Sequence, residues 1–489
     1  MTYKASWNSL KQHLTPQWLR DAKFGIYTHW GAYSVPAFGP NVSLYFYNMY
    51  CKGTPQYDYH VKTYGGPQKF GYKDFIPMFK AEKFDADEWA ELFKKAGAKF
   101  AGPVGEHHDG FSMWNSSVNE WNSANMGPKR DVVGELEKAV RKQGMKYFVA
   151  FHHAESWFAY PHWMKEYDIS DPRYQGLYGE PHNLDLEGKA PLKSWVPQVF
   201  EEWHKMHYPS KAFLNQWLGK IEEVINQYSP DMLWFDFGLE FIQEHYKREM
   251  LSYYYNKAEE LGKEVIVGYK YHNLAPGSGI VDLEQGRFNE IAYNEWITDT
   301  TIDEGCAWGY MNGAKYKTAT TLLHYLIDNV SKNGYMLLNV GPMANGKIPD
   351  EANRILLDMG KWLEINGEAI FGTTTWIHSG EGPTKMEKTG AFTEDEKLCY
   401  TSQDFRFTVK EDTIYAICLN WPKDEALITT VSKSASKLYN SEIKAVTMLG
   451  NDGELPWKMT EKGLHIATPS MKPCDHAYVF KIERKHPFI

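Results

Sequence analysis

From residue 20 to about 365 the chain alternates short apolar runs with amphipathic stretches, and this alternation constrains the fold more than any other feature. Runs such as KFGIYTHWG, AKFAGPVGEHHDGF, KYFVAFHHAESW, DMLWFDFG, EVIVGYK and GYMLLNVGP read as strands passing into loops. Between them FDADEWAELFKKAGA, RDVVGELEKAVRKQG, FLNQWLGKIEEVINQYSP, YYYNKAEELGK and TLLHYLIDNVSKNG place apolar residues at helical spacing, often ending near Gly or Pro. Six strands are clear, and Ile280 to Glu284 and Trp296 to Thr300 are weaker ones. Eight is the natural total, so the pattern predicts an α/β fold, a (β/α)8-like TIM barrel, over an open doubly wound sheet. No GxGxxG follows the first strand, which further disfavours a dinucleotide-binding fold.

After EANRILLDMGKWLEINGEAIF the texture changes to alternating segments, FRFTVK, TIYAICLNW, ALITTVS, KAVTML and AYVFKIE, separated by turn residues. These predict a C-terminal antiparallel β-sandwich. The expected division is residues 1–370 for the barrel and 371–489 for the sandwich, with the boundary near Gly367 to Thr374. Two domains also suit a chain of 489 residues, because single cores stop growing near ~250 to 300.

A formal charge of −9 with interspersed acids and bases argues against nucleic acid as a partner. No stretch approaches the ~20 apolar residues of a membrane span, and MTYKASWNSLKQHL lacks the regions of a signal peptide. The expectation is a soluble chain, periplasmic or secreted if a leader was removed and cytoplasmic otherwise; a homo-oligomer fits as well as a monomer. Cys51, Cys306, Cys399, Cys418 and Cys474 are scattered singly, which disfavours both a structural zinc site and a disulfide scaffold.

Catalytic groups of a parallel barrel sit where strands end. His29 follows FGIYT; Glu106, His107, His108 and Asp109 follow AGPVG; His152, His153 and Glu155 follow YFVAF; Asp236 follows DMLWF. Two chemistries fit such a cluster. A metal hydrolase would use His107, His108 and His152 as ligands beside Asp236. A glycosidase would set two carboxyls across the scissile bond, with histidines and aromatic rings holding the sugar. Aromatics at 15% of the chain suit sugar faces. Adjacent His107 and His108 would point to opposite faces of a strand, and the absence of a His-x-His pair lowers the metal reading, so no metal is expected.

His29-Trp30-Gly31, His107-His108-Asp109-Gly110-Phe111, RDVVGEL from Arg130, Trp234-x-Asp236, the segment Trp296 to Tyr310, and NGYMLLNVGPMANGKIP together resemble the family 29 glycoside hydrolases, the α-L-fucosidases. The match runs in order over most of residues 7 to 375 and implies a (β/α)8 barrel followed by a β-sandwich. It implies a retaining exo-α-L-fucosidase acting on fucosylated oligosaccharides or glycoconjugates, without a cofactor.

By carry-over Asp236 is the nucleophile, His29, His107 and His108 hold sugar hydroxyls, Trp234 forms a pocket wall, and Lys270 stands where a basic fucose-contacting residue is found. Glu284 in IVDLEQGRF aligns best with the acid/base, with Glu295 and then Glu290 as alternatives. Three departures stand out. SLYFYNMY replaces an acidic-aromatic pair after the first strand, leaving Tyr45 as a substitute ligand; Glu106 replaces a Lys; FHHAESW brings His152 near the site. These leave an α-L-galactosidase as one alternative, and a metal-dependent barrel hydrolase and a non-catalytic sugar-binding barrel as two others.

Overall fold

The computed structural model describes residues 2–162, 164–182, 208–386, 388–395 and 398–485. Eight parallel strands, β1 Phe24–Thr28, β2 Phe100–Glu106, β3 Lys146–Phe151, β4 Met232–Phe235, β5 Ile266–Lys270, β6 Ile280–Asp282, β7 Trp296–Thr301 and β8 Gly334–Val340, close into a barrel in sequence order. Closure is made by β1 pairing with β8, from Phe24 opposite Met336 to Thr28 opposite Val340. The two strands read weakly from sequence are β6 and β7. β6 has only three residues, and β7 carries Asp299 among threonines, so neither presents a long apolar run.

Side chains alternate between lumen and helix layer along each strand. The lumen holds Tyr27, Phe100, Val104, Phe148, Ala150, Met232, Trp234, Ile266, Ile280, Ile297, Tyr335 and Leu337, a packed plug rather than a pore. The opposite faces pack against helices such as Ala86–Lys95, Val132–Lys142, Lys211–Tyr228 and Ala319–Ser331. Their starts are fixed locally: Asp85, Asp131, Ser210 and Thr318 each accept a hydrogen bond from a first-turn amide.

The helix Asp350–Asn366 ends the barrel, and β9 Thr374–Glu381 begins the second unit. A five-stranded antiparallel sheet runs β13 Ile443–Met448, β16 Tyr478–Arg484, β11 Thr413–Cys418, β10 Phe405–Lys410, β9. It faces a three-stranded sheet, β12 Glu425–Ile428, β15 Gly463–Ala467, β14 Trp457–Thr460, over a separate apolar core that includes Phe405, Phe407, Ile466 and Phe480. All five cysteines are free thiols. Among the described residues, no helix is long and apolar enough to cross a membrane.

Candidate active site

At the C-terminal ends of the barrel strands lies a pocket of about 420 Å³, within the size range of small-molecule sites. His29, His107, His108, His152, Asp236 and Glu284 all line it. Tyr27, Glu155, Phe237, Tyr271, Asp299, Trp308 and Phe392 complete its wall. A second cavity of about 590 Å³ sits at the seam between barrel and sandwich and holds none of the six.

Asp236 follows β4, its amide bonded to the Phe151 carbonyl, which carries the β3–β4 ladder one residue past the strands. Its Oδ2 accepts a hydrogen bond from His152 Nδ1 at 2.8 Å and lies 3.5 Å from His108 Nε2. Burial alone would raise its pKa. His152, His108 and Lys270 outweigh that and hold the Asp236 carboxyl well below the usual carboxylate range. Burial lowers the pKa of His152 in turn, with the carboxylate beside it opposing.

Lys270, at the end of β5, is fully buried beneath the pocket floor. Its Nζ lies 2.6 Å from Asp299 Oδ1, 2.8 Å from Asp282 Oδ1, 3.3 Å from Glu284 Oε2 and 4.0 Å from Asp236 Oδ1, and it stands over the Trp234 ring. One ammonium thus faces four carboxyls. Burial works against that ammonium, yet the four acids hold its pKa well above the ordinary lysine value. The acids cannot all be charged around one cation. Burial, with repulsion from Asp299 and Asp236 added and attraction to Lys270 opposing, pushes Glu284 up to about 8. Asp236 and Glu284 share Lys270 as a neighbour, so their separation cannot exceed the sum of its distances to them. That bound admits the ~5 to 5.5 Å of a retaining carboxyl pair.

Glu155 is a further acid in the pocket, 3.2 Å from His108 Nδ1. Burial, then Asp236, Glu240 and Glu284, raise its pKa well above the ordinary value. Gly238 makes room for it: at φ 104° it adopts a conformation suited to glycine, and a Cβ there would meet Glu155 Cγ at 2.5 Å. The sequence marks Glu155 by its place at a strand end, after YFVAF, without giving it a role.

The histidines converge. His29 Nδ1 donates to Asn339 Oδ1 of β8 at 2.8 Å, which orients the ring. His107 Nδ1 and His152 Nε2 are buried with no hydrogen-bond partner among the described residues. Both His107 and His108 face the pocket, contrary to the expected opposite orientation, because β2 ends at Glu106 and strand alternation no longer applies. The inference that lowered a metal reading therefore loses its geometric basis. His29, His107 and His152 offer ligand atoms within 4.8 Å of one another, as do His108, His152 and Asp236.

Several expected residues lie elsewhere. Tyr45 is fully buried, its hydroxyl 3.1 Å from His60 Nδ1, and it does not line the pocket. The short helix Tyr45–Asn48 turns it toward Phe75, while Asn41, Ser43 and Leu44 take the wall position. Trp234 and Lys270 lie under the floor rather than on the wall, because both point into the barrel lumen; Trp234 Nε1 donates to Asp282 at 3.1 Å. Glu295 immediately precedes β7 and pairs with Arg20 at 2.8 Å and Tyr335 at 2.7 Å, at the opposite barrel end from the pocket. Glu290 is exposed and outside the pocket. Glu106 faces the helix layer, accepting from Lys220 at 2.6 Å.

A sequence profile for the α-L-fucosidases matches residues 1–368, and one for the α-L-fucosidase C-terminal domain matches 396–483. The chain belongs to the α-L-fucosidase family. It is 31% identical to the tissue α-L-fucosidase of Bos taurus, over 96% of this chain and 88% of that one, and 31% identical to the human tissue enzyme, over 96% and 89%. The crystal structure of Thermotoga maritima α-fucosidase in complex with fucose superposes with a TM-score of 0.76 at 29% identity, covering 98% of this chain and 100% of that one. The barrel and sandwich are therefore the family's architecture, and the chain is a glycoside hydrolase.

Proposed function

We propose that this α-L-fucosidase releases terminal α-L-fucose from oligosaccharides or glycoconjugates with retention, using Asp236 as nucleophile and Glu284 as acid/base. The observation that carries the reading is that the two carboxyls border one pocket, share the ammonium of Lys270, and titrate in opposite directions. An ionised Asp236 can attack the anomeric carbon while a protonated Glu284 delivers its proton to the departing oxygen. The carboxylate left on Glu284 then takes a proton from water, which displaces Asp236 from the sugar.

His152 and His108 steady Asp236 without neutralising it, and His29, His107 and the carboxyl of Glu155 supply hydrogen bonds for sugar hydroxyls. Glu155 takes the acidic sugar-ligand role for which Tyr45 is badly placed. Lys270 acts from below, holding the carboxyls rather than the sugar. Whether the pocket prefers fucose to α-L-galactose is read by comparing the two aryl glycosides.

Replacement of Asp236 tests the assignment. Asp236→Gly should lose at least ~10³-fold in turnover, and added azide should restore activity with the β-glycosyl azide as product. Near-normal turnover in this variant would remove Asp236 from the mechanism.

A further inference from the structure

Residues 390–394 follow the barrel in sequence, between β9 and β10, yet they lie along the loop that carries Glu284. Gly390 and Arg287 exchange backbone hydrogen bonds of 2.7 and 3.1 Å. The Phe392 amide donates to the Glu284 carbonyl at 2.7 Å, and the Thr393 and Glu394 amides donate to the Gln285 carbonyl at 2.9 and 2.7 Å. Glu394 is anchored in turn by Lys317 at 3.0 Å and Thr300 at 2.6 Å.

This clamp sets Phe392 at φ 54°, an outlier conformation for a bulky side chain. Phe392 lines the pocket yet is 59% exposed, so burial of the residue does little to offset that strain. The ring lies within 14° of parallel to Phe237 at 6.4 Å, and Phe237 lies 5.6 Å from Tyr271, itself at φ 44°. Phe237 directly follows Asp236, and Tyr271 directly follows Lys270. Three rings from three separate segments thus border the same pocket as the two carboxyls.

We propose that Phe392, with Phe237 and Tyr271, forms a leaving-group subsite that receives the apolar C–H face of a pyranose ring linked to the fucose. The assignment rests on the fucosidase reading above. A flat aromatic platform suits a sugar ring whose hydroxyls stay in water. Contact there reaches the chemistry through binding energy from a part of the substrate that does not react. The segment also couples the sandwich side of the chain to the position of Glu284, since its amides bond to the Glu284 and Gln285 carbonyls.

The test compares kcat/KM of Phe392→Ala and Phe392→Trp on α-L-fucosyl fluoride and on disaccharides with α-L-fucose linked to N-acetylglucosamine or to galactose. The Ala variant should lose at least about fivefold more on one or both disaccharides than on the fluoride, and the Trp variant should recover most of that difference. A difference below about fivefold on both disaccharides, or equal losses in the Ala and Trp variants, overturns the subsite. Failure of the wild-type enzyme to hydrolyse the fluoride would instead sink the fucosidase reading.

Discussion

Asp328, on the helix Ala319–Ser331, is buried between two cations: Arg406 Nε at 2.6 Å and Lys332 Nζ at 2.9 Å. Lys270, equally buried, faces four carboxyls. Both clusters bury carboxyls against cations, and the ratio of charges sets them apart. With cations in excess, burial of Asp328 is overridden and its pKa falls to about 2, so its carboxyl stays ionised and the cluster ties barrel to sandwich. With acids in excess, one carboxyl is stabilised at the expense of others: Asp236 is held ionised while Glu284 rises to about 8. A surplus of cations yields a brace; a surplus of acids yields an acid and a base side by side.

The largest effect expected from breaking this contrast is at Glu284. Glu284→Ala should lower kcat/KM on natural fucosides by ~10² to 10⁴-fold and spare the first step on aryl fucosides with acidic phenols. A burst of phenol should then precede a slow steady state, because no carboxylate remains to activate water. In the parent enzyme kcat/KM should fall as pH rises through about 8, where Glu284 loses its proton, and the variant should lack that limb on activated substrates. The burst appearing in Glu295→Ala instead would contradict the assignment.

A smaller, non-catalytic effect is expected at the brace. Asp328→Asn leaves Arg406 and Lys332 buried without a counter-charge and should cost ~3 to 5 kcal/mol, read as an earlier denaturant midpoint. Because the folded pKa of Asp328 is depressed, its contribution is complete above the unfolded value of ~3.9 and is lost as pH falls from there towards about 2. The parent should therefore lose stability across that window, and the variant should lose less of it. An unchanged midpoint in the variant would show that the cluster does not brace the fold.

The smallest expected effect is that of chelation. The histidines are near enough to hold an ion, yet the proposed chemistry runs on two carboxyls, so exhaustive chelation should leave the rate within error. Activity lost to a chelator and restored by zinc or manganese would shift the account to the metal reading.

The barrel was legible because strand and helix periodicities differ and six apolar runs recur in order, with two weaker ones completing the count. The sandwich was legible only in part. β9, with WIHSG in a mostly half-exposed strand, lacks the apolar alternation that marked FRFTVK and AYVFKIE, and β14 and β15, WKMT and GLHIA, alternate over too few residues to stand out. The strand-end rule reached His29, His107, His108, His152 and Asp236 because backbone topology alone delivers them to one end. It could not reveal that Lys270 and Trp234 turn into the lumen, or that Tyr45 turns to His60, since pleat and local turn decide those directions. Phe392 was out of reach altogether: its place beside Glu284 depends on a return of the chain after β9 that no local pattern encodes.

The most direct test of the central claim, that Asp236 is the carboxylate kept ionised for attack, is to trap it. Incubation with 2-fluoro-α-L-fucosyl fluoride, followed by proteolysis and mass spectrometry, should place a single 2-fluorofucosyl ester on the peptide containing Asp236. The label should be absent from Asp236→Gly, and the adduct should turn over slowly with recovery of activity. A label on Glu284 or Glu155, or inactivation without any ester on Asp236, would contradict the account.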